Sequence, residues 1–422
     1  MQELIRARTL LSNTTPVLRR LGFMILVCLM TAASLQAQTA PPTQLTLEAA
    51  LARAAEANPT IVAARQRRAV DLAGVDVARE RPNPEAHVEF ERETPKEAYG
   101  MAVPVETGGK RGRRIAVSQA TVRVGESELA QIVVEVRNAV RRAYFARAIA
   151  DARLALFGEL RDIATRARDA AQARFAAGSA PRLEVVQADL ALAQVENDAV
   201  SARATADVAR ARLNTLLALP LAAAPQLVTP FDTGTVPSAA DAIARAQGAS
   251  TELAVFDRRI EEQRAKTALA RAMQVPDVTP EGMLTRNAAP EFDVGWRAAV
   301  VVAVPVFTRH RAGVRLEEAT LVLITSERAA ALTRITGDAA ANAALAAAQR
   351  DQYQRYRDQI LPRATEVERM AEDSYRLGQT GVAAFLQALQ SARDARLRAL
   401  QAALDFQNAL ADLERALGAP LQ

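Results

Sequence analysis

Very few side chains in this 422-residue chain are suited to making or breaking bonds. There are two histidines, His87 and His310, and one cysteine, Cys28. No nucleophile elbow, phosphate-binding loop or zinc-ligand spacing occurs. An enzyme is therefore not expected, nor a cofactor. No metal site can be assembled, so a metal that meets this protein passes through rather than staying bound. His87 falls on the polar side of an alternating stretch, where a lone histidine is either plain surface or the lining of a wet lumen. The most distinctive polar segment is Glu106-Thr107-Gly108-Gly109-Lys110-Arg111. Its two glycines suit an abrupt change of backbone direction, and they stand where period-two sequence gives way to helical sequence.

The elements around these residues are written twice. Residues 174–220 align without a gap on 374–420, at an offset of 200 that lays Gly178 on Gly378, Gln187-Ala188 on Gln387-Ala388, Leu213 on Leu413 and Leu217 on Leu417. Upstream, Ala102-Val103-Pro104-Val105 matches Ala303-Val304-Pro305-Val306, and Ala50–Ala54 resembles Ala242–Ala246. The period is far above the roughly 20–50 residues of a solenoid unit, so a half-protein has been duplicated.

Half of the residues are hydrophobic but only 4% are aromatic, and much of the apolar share is alanine. Alanine and arginine favour helix, and thin alanine seams suit long helices packed side by side. The net charge is +5, of which residues 1–37 supply +3 (Arg6, Arg8, Arg19 and Arg20 against Glu3). Elsewhere the charges alternate in sign along helical stretches, which excludes a nucleic-acid stripe. Leu21–Met30 is an apolar run behind Arg19-Arg20 and is followed by small and polar residues, the pattern of a signal peptide over residues 1–37 cleaved after Ala37. The alternative is a retained anchor. Cys28 lies inside that run after Val27, a context unlike that of a lipid-modified cysteine. The mature chain then has no disulfide.

Thr46 and Pro59 mark the starts of two helices, the second ending near Arg81-Pro82. Ala86, Val88 and Phe90, then Tyr99, Met101, Val103 and Val105, alternate with polar or small residues, predicting a strand pair over about 85–106. No proline occurs from Gly109 to Ala177, and such a helix extends on the order of 100 Å. It ends at a tip near 178–182, where Pro181 permits a return helix to Leu219-Pro220. Leu183, Val186, Leu190 and Ala193 in that helix form a candidate coiled-coil seam. The first repeat thus covers 38–220, and a proline-dotted linker covers 221–237. The second repeat, 238–422, has helices to Ala272 and a strand pair over about 277–307. A long helix, kinked at Pro362, then leads to a tip near 378–382.

Two strand pairs give four strands of about nine to eleven residues, a length that crosses a bilayer in a barrel. Four cannot close, since about eight is the smallest workable number, so several copies must pool them. A small sheet packed on soluble helices is the alternative. Trp296 and Tyr99 are candidates for a membrane-interface girdle or for packing on a neighbouring strand.

Over residues 45–420 the chain resembles the TolC family of outer-membrane efflux ducts. The resemblance rests on Arg174-Phe175-Ala176-Ala177-Gly178 with Leu183–Ala188, on Tyr375-Arg376-Leu377-Gly378 with Phe385–Ala388, and on Val103-Pro104-Val105 and Val304-Pro305-Val306-Phe307. It implies a mainly α protein with a small β part. Helical hairpins would form a periplasmic α-barrel, and four strands per protomer would join a shared twelve-stranded barrel. It implies a homotrimer in the bacterial outer membrane, meeting lipid there and served by an inner-membrane proton-driven pump through a periplasmic adaptor. The tip turns Gly178, Ser179, Ala180, Pro181 and Gly378, Gln379, Thr380, Gly381 would dock the adaptor. Arg182, Glu184, Gln187 and Gln387 would border the tunnel entrance, with Arg182 and Glu184 pairing between helices to hold it closed. Ala384 stands where the family often has aspartate. The segment Glu106, Gly108, Gly109, Lys110, Arg111 is similar to one in the CzcC-like branch, which implies heavy-metal cations as cargo, with Lys110 and Arg111 expected at lipid phosphates or solvent. Drugs or other small molecules are the alternative cargo, and a periplasmic coiled-coil adaptor or structural protein the alternative class.

Overall fold

The computed structural model describes residues 44–228, 231 and 234–421. The signal-peptide segment and Cys28 lie outside the described residues. The long helices and the four-stranded sheet all belong to one compact unit, Leu45–Ala223 with Leu227–Gln422.

In the first repeat, α1 (Leu47–Ala57) is capped by the Thr46 hydroxyl, which accepts from the Ala49 N–H, and α2 (Pro59–Arg79) by Asn58, which accepts from Thr60 and Ile61. Each cap satisfies amides that a helix start otherwise leaves unpaired. Strands β1 (Glu85–Phe90) and β2 (Glu97–Ala102) come next, then α3 (Lys110–Ala176) and α4 (Arg182–Leu216). The second repeat holds α5 (Ala239–Ala249), α6 (Thr251–Ala272), β3 (Val278–Ala288), β4 (Phe292–Val302) and α7 (Arg311–Arg355). A π-helical turn, Tyr356–Ile360, links α7 to α8 (Leu361–Arg376), and α9 (Val382–Leu417) is the last helix. The fold is mainly helical with one four-stranded sheet, as its duplicated sequence implies.

At Pro362 the expected kink takes a specific form. Proline removes one backbone donor, and the turn before it widens, with the Leu361 N–H donating to the Tyr356 carbonyl five residues back.

The four strands form one antiparallel sheet in the order β1-β2-β3-β4. The two hairpins, one from each repeat, are thus zipped together through β2 and β3. β1 and β2 have six residues each rather than about nine, with the Val103 N–H donating to the Pro280 carbonyl and Val105 exchanging two backbone bonds with Val278, whereas β3 and β4 have eleven. β3, a ragged prospect in sequence, pairs with β4 from Val278 to Ala288, with Thr279, Glu281 and Thr285 on one face and Val278, Gly282 and Leu284 on the other.

Helix packing divides by level. Midway along α3, the residues Leu45, Ala50, Ile61, Val140, Tyr144, Phe145, Leu213 and Leu217 make one core. The matching second-repeat core holds Ala242, Ala246, Leu253, Ile335, Ala339, Phe406, Leu410 and Leu413. A buried polar clamp joins them: Arg141 donates to Glu414 at 2.8 Å and to Gln407 at 3.0 Å. Toward the tips the seam thins to Ala167, Ala171 and Ala188 with Tyr375, Val382 and Phe385.

Candidate functional site

The residues singled out in sequence gather at three places: the joint between sheet and helices, the two faces of the sheet, and the paired tips.

At the joint, Gly108 and Gly109 both adopt left-handed backbone, with φ of +63° and +72°. Gly108 is doubly constrained, since a Cβ there would lie 2.8 Å from the Cβ of Val275. The turn aims Lys110 inward. Lys110 is 7% exposed, and its Nζ lies 2.8 Å from Asp277 Oδ2. Asp277 Oδ1 accepts the Thr107 N–H at 2.9 Å, and the Thr107 hydroxyl donates to the Pro276 carbonyl. Burial works against ionisation of Asp277, but the bonds from Lys110 and Thr107 and the Lys110 charge outweigh it and hold its pKa below the ordinary carboxylate range. Glu106 receives both terminal nitrogens of Arg114, at 2.5 and 3.2 Å, while Arg114 also donates to the carbonyls of Ala78 and Glu80. Arg111 donates to the Arg79 carbonyl. The expectation that Lys110 and Arg111 meet lipid phosphates or solvent is therefore corrected: Lys110 is buried in an ion pair with the other repeat, and Arg111 caps the end of α2. The second repeat manages its strand-to-helix turn with His310 at φ +51° and no glycine.

The sheet leaves bare the side that an ordinary soluble sheet would bury. One face carries the cross-strand row Val88, Tyr99, Leu284 and Trp296, flanked by Ala86, Met101 and Ala298. Val88 is 57% exposed, Leu284 55% and Trp296 80%. The other face carries Glu85, His87, Glu89, Glu281, Met283, Thr285 and Arg297; there Ala98 and Ala102 are buried and Glu281, Met283 and Thr285 half-buried, while Glu85, His87, Glu89 and Arg297 are exposed. A sheet resting on soluble helices would bury its apolar row, which removes that alternative. Tyr99 and Trp296 are cross-strand neighbours of Leu284 in the ladder. β1 and β4 have no outer strand partner among the described residues.

The two tips are built alike. The Ser179 N–H bonds the Arg174 carbonyl and the Gly178 N–H that of Phe175, while Gln379 and Gly378 repeat the pattern on Ser374 and Tyr375. Gly178 and Gly378 share φ +73°, the left-handed close of a helix that glycine accepts without strain. Ser179 and Gln379 are exposed; Ala180 and Thr380 are half-covered; Pro181 and Gly381 start the return helices. Between the tips lies a mixed cluster. Tyr375 stacks on Phe385 with ring centres 5.2 Å apart, and the Arg174 guanidinium lies 5.4 Å from the Tyr375 ring. Glu184 Oε2, Arg174 Nη1 and the Tyr375 hydroxyl are buried without a hydrogen-bond partner among the described residues. Burial and the Glu184 charge push the Tyr375 phenol above its ordinary pKa, against the pull of Arg174.

Arg182 is exposed and has no ion-pair partner among the described residues, while Glu184 is half-buried and faces the second-repeat tip. Gln187 is half-buried and Gln387 exposed. The stripe read as an internal seam is also corrected. Leu183, Val186 and Leu190 are 62%, 53% and 59% exposed, and α4 packs through Ala188, Leu192, Val195 and Ala202. Phe175 is 46% exposed although its repeat-mate Tyr375 is 4% exposed. The first repeat thus presents outward what the second repeat buries.

Asp277 and Arg114 were not singled out in sequence, and Arg174 stood only within the first tip motif. Asp277 lies 167 positions from Lys110, and no spacing rule links them; the only local sign is an acid directly after the Val275-Pro276 break.

A duplicated set of helical hairpins carrying a bare-faced sheet is the architecture of an efflux duct subunit, and the chain belongs to the outer membrane efflux protein family, which it matches over residues 50–219 and 242–419. It is similar to the cobalt-zinc-cadmium resistance protein CzcC of Cupriavidus metallidurans, 29% identical over 276 residues that span 63% of this chain and 64% of that protein's length, just under two thirds. It is similar also to the nickel-cobalt-cadmium resistance protein NccC of Alcaligenes xylosoxydans xylosoxydans, 27% identical over 312 residues, 69% of this chain and 67% of that one. Among solved structures the fold resembles the Campylobacter jejuni CmeC outer membrane channel, with a TM-score of 0.75, 13% identity, and coverage of 89% of this chain and 86% of that one.

Proposed function

We propose that this chain is one of three identical subunits of an outer-membrane duct that passes heavy-metal cations outward. They would reach it from an inner-membrane proton-driven pump by way of a periplasmic adaptor. The observation that supports the reading best is the bare apolar face of the sheet, with charge gathered on its opposite face and two edges unpaired among the described residues. Eleven residues at about 3.3 Å each reach roughly 36 Å, and a tilt near 45° brings this to the roughly 25 Å of an outer-membrane apolar band. Three copies give twelve strands and abolish both edges. The exposed stripe Leu183, Val186, Leu190 and the uncovered Phe175 supply each helical hairpin with a face for the next copy. The tips, two per chain and alike in backbone, offer six near-equivalent docking turns. The segment 1–37 serves as the export signal.

Metal cargo is supported by the two resistance proteins whose sequences the chain resembles. Deleting the gene should lower the tolerated concentration of cobalt, zinc, cadmium or nickel severalfold and leave detergent and antibiotic tolerance unchanged. Loss of detergent or drug tolerance with intact metal tolerance would contradict the metal reading and favour small organic cargo.

A further inference from the structure

The charged face of the sheet is acidic in a chain that is otherwise basic. Glu85 and Glu89 on β1, Glu281 on β3 and Asp293 on β4 share the face opposite Trp296, and Arg297 is its one formal cation. That is a net of −3 from four carboxylates and one guanidinium, set against +5 for the whole chain. The acids are not there to make ion pairs, because none of the four has a salt-bridge or side-chain hydrogen-bond partner among the described residues. Arg297 is turned to the Met283 thioether, 3.6 Å away. The opposite face has charge only at its hairpin end, where Glu97 pairs in register with Arg286. At the tips the second repeat offers Ala384 and Gln387 rather than acids, and Glu184 is taken up by the Tyr375 cluster.

We propose that cation selectivity in this duct is set inside the strand-built section, by Glu85, Glu89, Glu281 and Asp293, and not at the helical entrance. The inference rests on the pooled-barrel reading, because only closure turns this face toward a shared lumen. Three copies place twelve carboxylates and three arginines on the wall of one pore. Low-dielectric lipid behind that wall focuses the field into the water, and at physiological salt the screening length of about 8 Å lets potentials from opposite walls reach well into the lumen. Small cations, divalent metals above all, are concentrated there and anions depleted. No single site holds the ion: the carboxylates lie on different strands without convergent geometry, which suits transit rather than capture.

The test is the reversal potential of the purified full-length oligomer in planar bilayers under a potassium chloride gradient. The wild type should show a cation-selective pore. The combined variant Glu85→Gln, Glu89→Gln, Glu281→Gln, Asp293→Asn should lower the cation-to-anion permeability ratio by about tenfold. Glu184→Gln should leave the ratio unchanged. Arg297→Gln removes the one opposing charge and should raise it, which keeps the test decisive if the fourfold variant fails to assemble. A pore without cation preference, a fourfold variant that keeps it, an Arg297→Gln variant that does not gain it, or a loss confined to Glu184→Gln overturns the inference and leaves the duct standing. A preparation that forms no pore at all overturns the duct reading and this one with it.

Discussion

Lys110 and Asp277 show how a single pair can join two repeats. The lysine is buried and tied to one carboxylate, while Asp277 keeps 43% of its side-chain surface and a second bond from Thr107. The consequences of removing either partner are therefore unequal. Asp277→Ala leaves an uncompensated buried ammonium and should cost about 3 kcal/mol, whereas Lys110→Met leaves a carboxylate that water can reach and should cost about 1 kcal/mol. Thermal melts of the detergent-solubilised protein, followed by helical signal, check the ranking, and equal losses would contradict it. The lowered pKa of Asp277 also sets a pH dependence. A carboxyl that ionises more readily when folded adds stability above its unfolded pKa near 3.9, and loses it as pH falls through the folded value. The gap between wild type and Asp277→Asn should be unchanged from pH 7 to pH 5 and should close below about pH 4.

At the scale of elements, the tips and the sheet were legible to different depths. The tip turns could be read from Gly178-Ser179-Ala180-Pro181 and its copy at Gly378, because a left-handed helix close followed by a helix-starting residue is local chemistry. Which side chains meet between the two tips could not be read, since Glu184, Arg174 and Tyr375 converge from three helices. The same holds for Leu183, Val186 and Leu190. Their 3–4 spacing identifies an apolar stripe but not whether its partner lies in the same chain or the next. The strands were legible by period two, yet the pairing of β2 with β3, about 180 residues apart, depends on where the joint places them. The Glu184–Tyr375–Arg174 cluster has buried polar atoms without a hydrogen-bond partner among the described residues, which makes it the place where the contact between the tips is expected to loosen first. Glu184→Ala with Tyr375→Ala should raise single-pore conductance severalfold, and Arg182→Ala alone should leave it unchanged. An increase from Arg182→Ala matched by none from the cluster would restore the pairing that the sequence suggested.

For the molecule as a whole, duplication is the organising fact, and it was plain in sequence at an offset of 200. How the copies differ was not legible there. Tyr375 is covered where Phe175 is bare, and His310 turns without the glycines that Gly108 and Gly109 provide. Such asymmetry is expected when each repeat meets its own sibling on one side and a neighbouring subunit on the other. The closing of the sheet between subunits is the claim on which the duct, its lumen and its selectivity all depend. The outermost strands β1 and β4 are separated within a chain by three strand spacings, about 14 Å, too far for a disulfide, whose Cα atoms must lie within about 7 Å. The most direct measurement is oxidative crosslinking in intact outer membranes of variants carrying Val88→Cys together with a cysteine at Val294, Trp296 or Ala298 in turn. The account predicts disulfide-linked species of two and three chains for at least one of these pairs; chains that stay single at every pairing would contradict it.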